Sequence, residues 1–295
     1  MAEPDPAVSS SPCNSSALTL IVPGDPDQRT GGYLYDARIV AELKRLGRSV
    51  DVVGLDGAFP VADTLAHQAM DKALSQAPEG HCVVIDGLAL GGVPESVAPH
   101  ADRLALIGLV HHPLADETGL DDEHQQALLR SERAALRLCR AIIVTSPFTR
   151  RRLHELGLVE DQPVFVVEPG VAPAALARRV RQRFNGTTPD DPARLLCVAS
   201  LSPRKGQDLL VEALDSLRDR QWTLDLVGSA DRDPDFARAL VDQIKKKNLE
   251  SRVQLVGEVD GERLAELYDQ ADLCLLPSWY EGYGMVVTEA LARGL

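Results

Sequence analysis

The chain has 295 residues, 44% of them hydrophobic and 25% charged, and carries a formal net charge of −13. That length suits about two domains of roughly 100–200 residues each, with apolar residues enough for sizeable cores. The acidic balance argues against nucleic-acid binding, which needs a clustered basic surface, but leaves room for a local basic pocket that takes a small anion.

Residues 1–16 hold Pro, Ser and acids, without a basic or an apolar signal region, and read as a disordered tail. No apolar run approaches the roughly 18 residues of a membrane span. The five cysteines (Cys13, Cys82, Cys139, Cys197, Cys274) form no C-x-x-C pair, and three lie inside apolar runs, which fits a reducing cytoplasm. From Ala17 a regular rhythm begins. Apolar runs at Leu18–Val22, Val50–Val53, Cys82–Ile85, Leu104–Val110, Ala141–Val144 and Val164–Val167 predict six strands. Helical periods lie between most of them, over Tyr33–Leu46, Asp121–Arg140 and Pro147–Leu156 among others, which predicts βαβ units and a parallel, doubly wound sheet.

The rhythm breaks over Pro169–Ala193, where Pro, Gly and Asn-Gly signals cluster around a basic stretch at Arg178, Arg179, Arg181 and Arg183. We read that stretch as a solvated helix face inside an interdomain linker. A second α/β pattern follows. Strands are expected at Leu195–Val198, Leu224–Val227, Val253–Val256 and Leu273–Leu276, and helices at Gln207–Leu217, Asp235–Lys247 and Gly261–Asp269. The fold class is therefore α/β, with two tandem Rossmann-like parallel-sheet domains at 17–175 and 194–295 and a linker at 176–193. Ligands in such folds bind beyond the carboxyl ends of the strands. The chain stops at Arg293-Gly294-Leu295, where a further strand is expected, so the second domain reads as incomplete. On that reading the chain is expected to be less active and less stable than a longer one.

Several loops after strands hold residues suited to chemistry. Gly31-Gly32 follows the first strand, either as a loop that lets backbone approach a phosphate or sugar, or as an ordinary βα turn. Arg29, Arg38, Lys44, Arg45 and Arg48 make the adjoining helix basic. This is a solvated face in the first instance, with weak peripheral membrane contact as a second role. His111-His112 ends the fourth strand and could bind a substrate hydroxyl or polarise a reacting centre, or serve as structural loop histidines. A zinc site is disfavoured because His124 offers no matching spacing. Ser202-Pro203-Arg204-Lys205-Gly206 puts two cations beside a helix start, where an Arg fork and a Lys point charge suit a diphosphate, though a solvated pair has the same sequence.

The densest stretch runs from Pro277 to Ala292. A glycine-containing turn there holds Glu281 and Glu289, eight positions apart, and Gly284-Met285-Val286 opens a helix whose amides favour an anion. The two glutamates cannot themselves favour an anion, so they are expected to hydrogen-bond neutral hydroxyls. A phosphate flanked by hydroxyl-bearing rings would meet both demands. No Walker A loop, G-x-G-x-x-G, G-x-S-x-G or H-E-x-x-H is present.

Together, Pro277-Ser278-x-x-Glu281-Gly282-Tyr283-Gly284 with Glu289-Ala290-Leu291, Leu267-Tyr268-x-x-Ala271-Asp272, Lys205-Gly206 and Glu168-Pro169-Gly170-Val171 resemble the family-4, GT-B-fold retaining glycosyltransferases over nearly the whole chain. The resemblance implies a nucleotide-diphosphate sugar as donor, bound mainly by the second domain, an unidentified acceptor on the first, and neither cofactor nor metal. It implies a catalytic set of His111, Glu281, Arg204 and Lys205. Glu281 would contact the transferred hexose, Glu289 the ribose hydroxyls, Gly284, Met285 and Val286 the diphosphate, and Lys205 the leaving phosphate. His111, with His112 as the alternative, would contact the donor sugar, and Gly31 and Gly32 would lie near the distal phosphate. The chain departs from the family at Ser200, where an arginine is often found, and Arg204 is expected to replace it. A sugar-nucleotide epimerase and a non-catalytic sugar-nucleotide-binding protein are the competing readings.

Overall fold

The computed structural model describes residues 17–28, 30–186 and 191–295. The expected tail at 1–16 lies outside them, as do Arg29 and Cys13. The chain forms two compact units, one reaching to Ala115 and resuming over Leu120–Glu168, the other comprising Asp116–Gly119 and Pro169–Leu295.

The first unit is a six-stranded sheet of β1 (Ala17–Pro23), β2 (Ser49–Leu55), β3 (Cys82–Asp86), β4 (Ala105–Val110), β5 (Ala141–Val144) and β6 (Val164–Val166). All its pairings are parallel and the order is β2-β1-β3-β4-β5-β6. Its helices are α1 (Gly31–Arg45), α2 (Thr64–Gln76), α3 (Gly87–Leu90), α4 (Pro94–Val97), α5 (Asp122–Leu136) and α6 (Pro147–Glu155). Caps set several of these starts. Asp63, Asp121 and Ser146 each accept from the backbone N–H three residues on, and Pro147 follows its cap at the first helical position. The main core is a continuous apolar cluster on one face of the sheet, including Ile21, Met70, Leu74, Ile85, Leu106, Leu136, Ile142 and Leu153. Helix α5 ends four residues before its expected limit, Arg140, because the chain turns after Leu136 and the Arg140 amide already donates to Leu106 O, beside β4.

The second unit is a four-stranded sheet of β7 (Ala193–Val198), β8 (Trp222–Val227), β9 (Val253–Gly257) and β10 (Leu273–Cys274), again parallel, in the order β10-β7-β8-β9. Its helices are α7 (Arg178–Phe184), α8 (Gln207–Asp215), α9 (Pro234–Lys246), α10 (Gly261–Gln270) and α11 (Met285–Leu291). The period of two splits β7 between two cores. Cys197 packs with Leu210, Leu214, Leu240 and Ile244 of α8 and α9, while Leu196 packs with Leu267, Tyr268 and Ala290 of α10 and α11. Strand β10 covers only half of its expected span, an edge strand paired through Leu273↔Leu195 and Cys274↔Leu196.

The basic stretch at 178–183 has the expected solvated face at Arg178, Arg181 and Arg183, each about half exposed, and departs from it at Arg179. The Arg179 side chain is 6% exposed and forms ion pairs with Asp272 (Nε to Oδ2, 2.6 Å) and Asp191 (2.7 Å). Asp272, itself buried, also accepts from Arg183 at 2.5 Å and from the Arg194 amide at 2.8 Å. A buried carboxylate needs such a shell of donors, and α7 supplies two of them. Burial raises the Asp272 carboxyl, but Arg179, the Arg194 amide and Arg183 outweigh it and hold the group below the usual carboxylate range.

Arg179→Met is expected to lower unfolding free energy by about 3 kcal/mol, the lower end for breaking a buried pair, because Arg183 and the Arg194 amide remain. A carboxyl depressed by folding contributes stability above its unfolded value, about 3.9, and loses it as pH falls through the lower folded value. The gap between wild type and Arg179→Met in denaturant melts should therefore be full near neutrality and close in acid.

Candidate functional site

The expected site residues fall into two clusters, one in each unit, and each lies where its strand order reverses. In the first unit β1 and β3 flank that reversal and β4 lies next to them. The chain leaves β1 towards Gly31 and Gly32, β3 ends at Asp86, and His111 follows β4 directly. The carboxyl ends of strands at such a point form a natural crevice.

His111 is held from three sides. Its Nε2 lies 3.2 Å from Asp36 Oδ1, on α1, and 3.4 Å from Asp86 Oδ2. The Tyr35 ring meets the imidazole edge-on, with centroids 5.6 Å apart and an interplanar angle of 87°. A Cβ at Gly32 would lie 3.3 Å from His111 Cδ2, so the missing side chain is what lets the start of α1 approach the ring. Asp86 serves a second purpose, since its Oδ1 accepts from the Leu88 amide at 2.8 Å and caps α3. Burial works against a charged imidazole, but the Asp36 and Asp86 carboxylates outweigh it and raise His111 to about 10. Burial also raises Asp36, an effect that His111 partly opposes.

His111 is therefore a fixed cation at neutral pH, with Nε2 facing two carboxylates. His112, the alternative, is half-buried in the following loop position. Asp36, Asp86 and His111 are also the one group of three among the described residues whose ligand atoms lie within 4.8 Å of one another, and are the side chains that could hold a cation. The imidazolium proton already supplies positive charge to the same two carboxylates.

In the second unit the reversal lies between β7 and β10. The turn Pro203–Lys205 follows β7, and the Pro277–Gly284 loop follows β10. Gly206 sets how close the two loops come. Its φ is +66°, and a Cβ there would lie 2.4 Å from Pro277 O. With that approach, the Trp279 amide donates to Arg204 O at 2.9 Å and the Arg204 guanidinium donates to Tyr280 O at 3.0 Å. Lys205 Nζ lies 2.5 Å from Glu281 Oε1, with both side chains largely covered. Burial lowers the Lys205 ammonium, and Glu281 opposes that shift.

Further along, Gly284 (φ 82°, ψ 56°) caps α11 without a side chain, so no capping oxygen occupies the amides of Met285 and Val286. Glu289 Oε2 accepts from the Tyr268 hydroxyl at 3.2 Å. Both glutamates were expected to hydrogen-bond neutral hydroxyls; Glu289 meets one from the protein itself, whereas Glu281 meets an ammonium. The structure brings Arg204, Lys205 and Glu281 together and places Glu289 separately, against Tyr268. A hollow of about 690 Å³ lined by Arg194, Asp225, Arg252 and Arg263, among others, contains none of these residues.

Sequence reasoning did not single out Asp36, Asp86 or Tyr268 as site residues. Asp86 was legible only as the polar end of an apolar run, and Asp36 as one acid within a helix. Tyr268 stood inside a quoted motif without a role.

Residues 178–295 match the family model described as glycosyl transferases group 1, a stretch that opens at α7. Mannosylfructose-phosphate synthase of Agrobacterium fabrum is 30% identical over 179 residues, 56% of this chain and 38% of that protein. D-inositol 3-phosphate glycosyltransferase of Kineococcus radiotolerans is 32% identical over 164 residues, 51% of this chain and 37% of that protein. The aligned part thus spans less than half the length of these relatives. Among solved structures, sucrose-phosphate synthase from Thermosynechococcus elongatus superposes with a TM-score of 0.72 at 22% identity, covering 94% of this chain and 79% of that one. Anabaena Alr3699/HepE in complex with UDP-glucose gives 0.66 at 21% identity, with the same coverage. The fold is that of the GT-B glycosyltransferases, with parallel sheets of six and four strands.

A histidine raised by folding contributes stability fully below its unfolded value, about 6.5, and loses it as pH rises towards the folded value. The His111 ring is accordingly expected to show no NMR titration between about pH 5 and 8, and to titrate there once Asp36 and Asp86 are both changed to Asn. Gly206→Ala should cost at least the roughly 1–3 kcal/mol of a non-glycine left-handed residue and separate the two loops. The measurement is a denaturant melt together with the Trp279 fluorescence of the folded variant.

Proposed function

We propose that the chain transfers a hexose from a nucleotide-diphosphate sugar to an acceptor hydroxyl, with retention of anomeric configuration, as a family-4-type hexosyltransferase. The observation that carries this reading is the 2.5 Å juxtaposition of Lys205 and Glu281 beyond the carboxyl ends of two neighbouring strands. A sugar–phosphate linkage presents an anion on one side of the bond to be broken and hydroxyls on the other. A cation and a carboxylate side by side match those two demands, and the donor would exchange their mutual contact for its own phosphate and hydroxyls. The group 1 domain match and the names of the relatives support the reaction class. UDP-glucose in the complex of Alr3699/HepE supports a nucleotide sugar as donor.

Breaking the linkage builds negative charge on the leaving diphosphate and positive character on the anomeric carbon. In this reading Lys205, Arg204 and the amides of Gly284, Met285 and Val286 stabilise the former. Glu281 orients the hexose through its hydroxyls and Glu289 holds the ribose. In the first unit, the Gly31-Gly32 turn and the His111 cation are assigned to phosphate and sugar, with His112 beside them. Departing phosphate takes the acceptor proton, and the donor is a substrate rather than a resident cofactor. The cytoplasm is the proposed compartment. Among the described residues no helix is long and apolar enough to cross a membrane.

The test is a thermal-shift panel of nucleotide sugars, followed by product analysis with the best binder and an acceptor panel. Lys205→Ala should weaken that binder by about 10- to 100-fold, the range for losing a charge-assisted contact. Arg204→Ala should weaken it as well. Full affinity in Arg204→Ala beside lost affinity in Lys205→Ala would remove Arg204 from the diphosphate site, and no shift with any nucleotide sugar would sink the proposal.

A further inference from the structure

Glu289 is held from behind by a residue that reaches no surface. Tyr268, on α10, is 0% exposed, and its hydroxyl donates to Glu289 Oε2 at 3.2 Å. Burial, with the nearby Glu289 carboxylate, raises the phenol well above its ordinary value, so it is an O–H that faces Glu289. The ring is itself fixed. The Arg293 guanidinium lies 4.5 Å from its centroid, and the same guanidinium donates to Glu289 O at 2.9 Å. Arg293 follows α11 and Tyr268 belongs to α10, so the contact joins two elements that meet in one apolar cluster with Ala290 and Leu267.

From this geometry we infer that Tyr268, clamped by Arg293, is a positioning residue that fixes the carboxylate of Glu289 for a vicinal diol. The inference rests on the ribose assignment of Glu289 made above and gives it a mechanism. A carboxylate recognises two adjacent hydroxyls only when its plane is set. A glutamate on a seven-residue helix has three side-chain torsions free to rotate unless something holds one oxygen. Tyr268 holds Oε2 from the interior, which directs the remaining acceptor capacity of the carboxylate away from the core. A phenylalanine would fill the same space and lose only the donor. The motif Leu267-Tyr268-x-x-Ala271-Asp272 thereby has two polar purposes, Tyr268 to orient Glu289 and Asp272 to bind α7.

The experiment is isothermal titration of the full chain with the ribonucleoside diphosphate that a panel of UDP, GDP and ADP shows to bind best. The 2′-deoxy and 3′-deoxy forms are titrated alongside. Wild type should prefer the ribo form, and Tyr268→Phe should weaken it by about five- to twentyfold while leaving the deoxy forms within about twofold, so that the preference collapses. Arg293→Met, which keeps the phenol and removes the clamp, should give a smaller loss with the same ribose-specific signature. Should Tyr268→Phe prove too unstable to titrate, Arg293→Met decides alone. Ribo affinity unchanged in the titrated variants, or equal loss for ribo and deoxy forms, would overturn the positioning role while Glu289→Ala still abolished the preference. A wild type that binds nucleotide without any ribo preference, with Glu289→Ala silent, would overturn the ribose assignment and this inference with it.

Discussion

The second unit depends on how close a backbone can come to Pro277 O. Gly206 permits the approach because it has no Cβ and sits in left-handed space, and every polar contact between the two loops follows from it. The Trp279 amide reaches Arg204 O, the Arg204 guanidinium reaches Tyr280 O, and Lys205 meets Glu281. Two of these three contacts use backbone groups, so loop placement does not wait on a ligand. The ammonium and carboxylate each lose hydration in this setting and regain it from each other. Such a pair contributes little net stability.

The first unit uses a related device for a different end. Gly32 lets the start of α1 press on the His111 ring, and the same helix brings Tyr35 and Asp36 to its flank one turn later. Asp86 completes the enclosure from the end of β3 while capping α3. An imidazolium is thus enclosed by two carboxylates at the mouth of a parallel sheet, its charge balanced within the cluster. Both clusters sit where the strand order reverses, because at that point neighbouring strands send their following loops to opposite sides and leave room between them.

Much of the fold was legible because parallel strands buried on both faces leave apolar runs, and the turns between them carry Asp or Ser caps with glycine stops. The limits that shifted did so through tertiary structure. Helix α5 stops where the Arg140 amide already pairs with Leu106 O beside β4. The basic stretch of α7 looked solvated because its decisive partner, Asp272, stands far along the chain from Arg179. Lys205, Glu281 and Glu289 were recognisable from spacing and loop position. Asp36, Asp86 and Tyr268 were not, since each acts through a neighbour from another element and shows no local pattern. The partnering of both glutamates inside the protein is likewise a property of packing, not of the Glu-x7-Glu spacing.

Helix α7 has a bearing on where the second unit begins. By sequence rhythm it starts at β7, and residues 176–193 read as a linker. Yet Asp272 takes two of its donors from α7, the Arg178 amide donates to Asp269 at 2.8 Å, and the Ala177 amide donates to Arg293 O at 2.9 Å. The group 1 domain match also opens at residue 178. A second unit cut out at β7 would expose the carboxylate hub that α7 now neutralises and lose the strap across the Arg293 turn. The hub and strap stay whole only when the chain back to Ala177 is kept with the second unit, which as a compact body already takes in the stretch from Pro169.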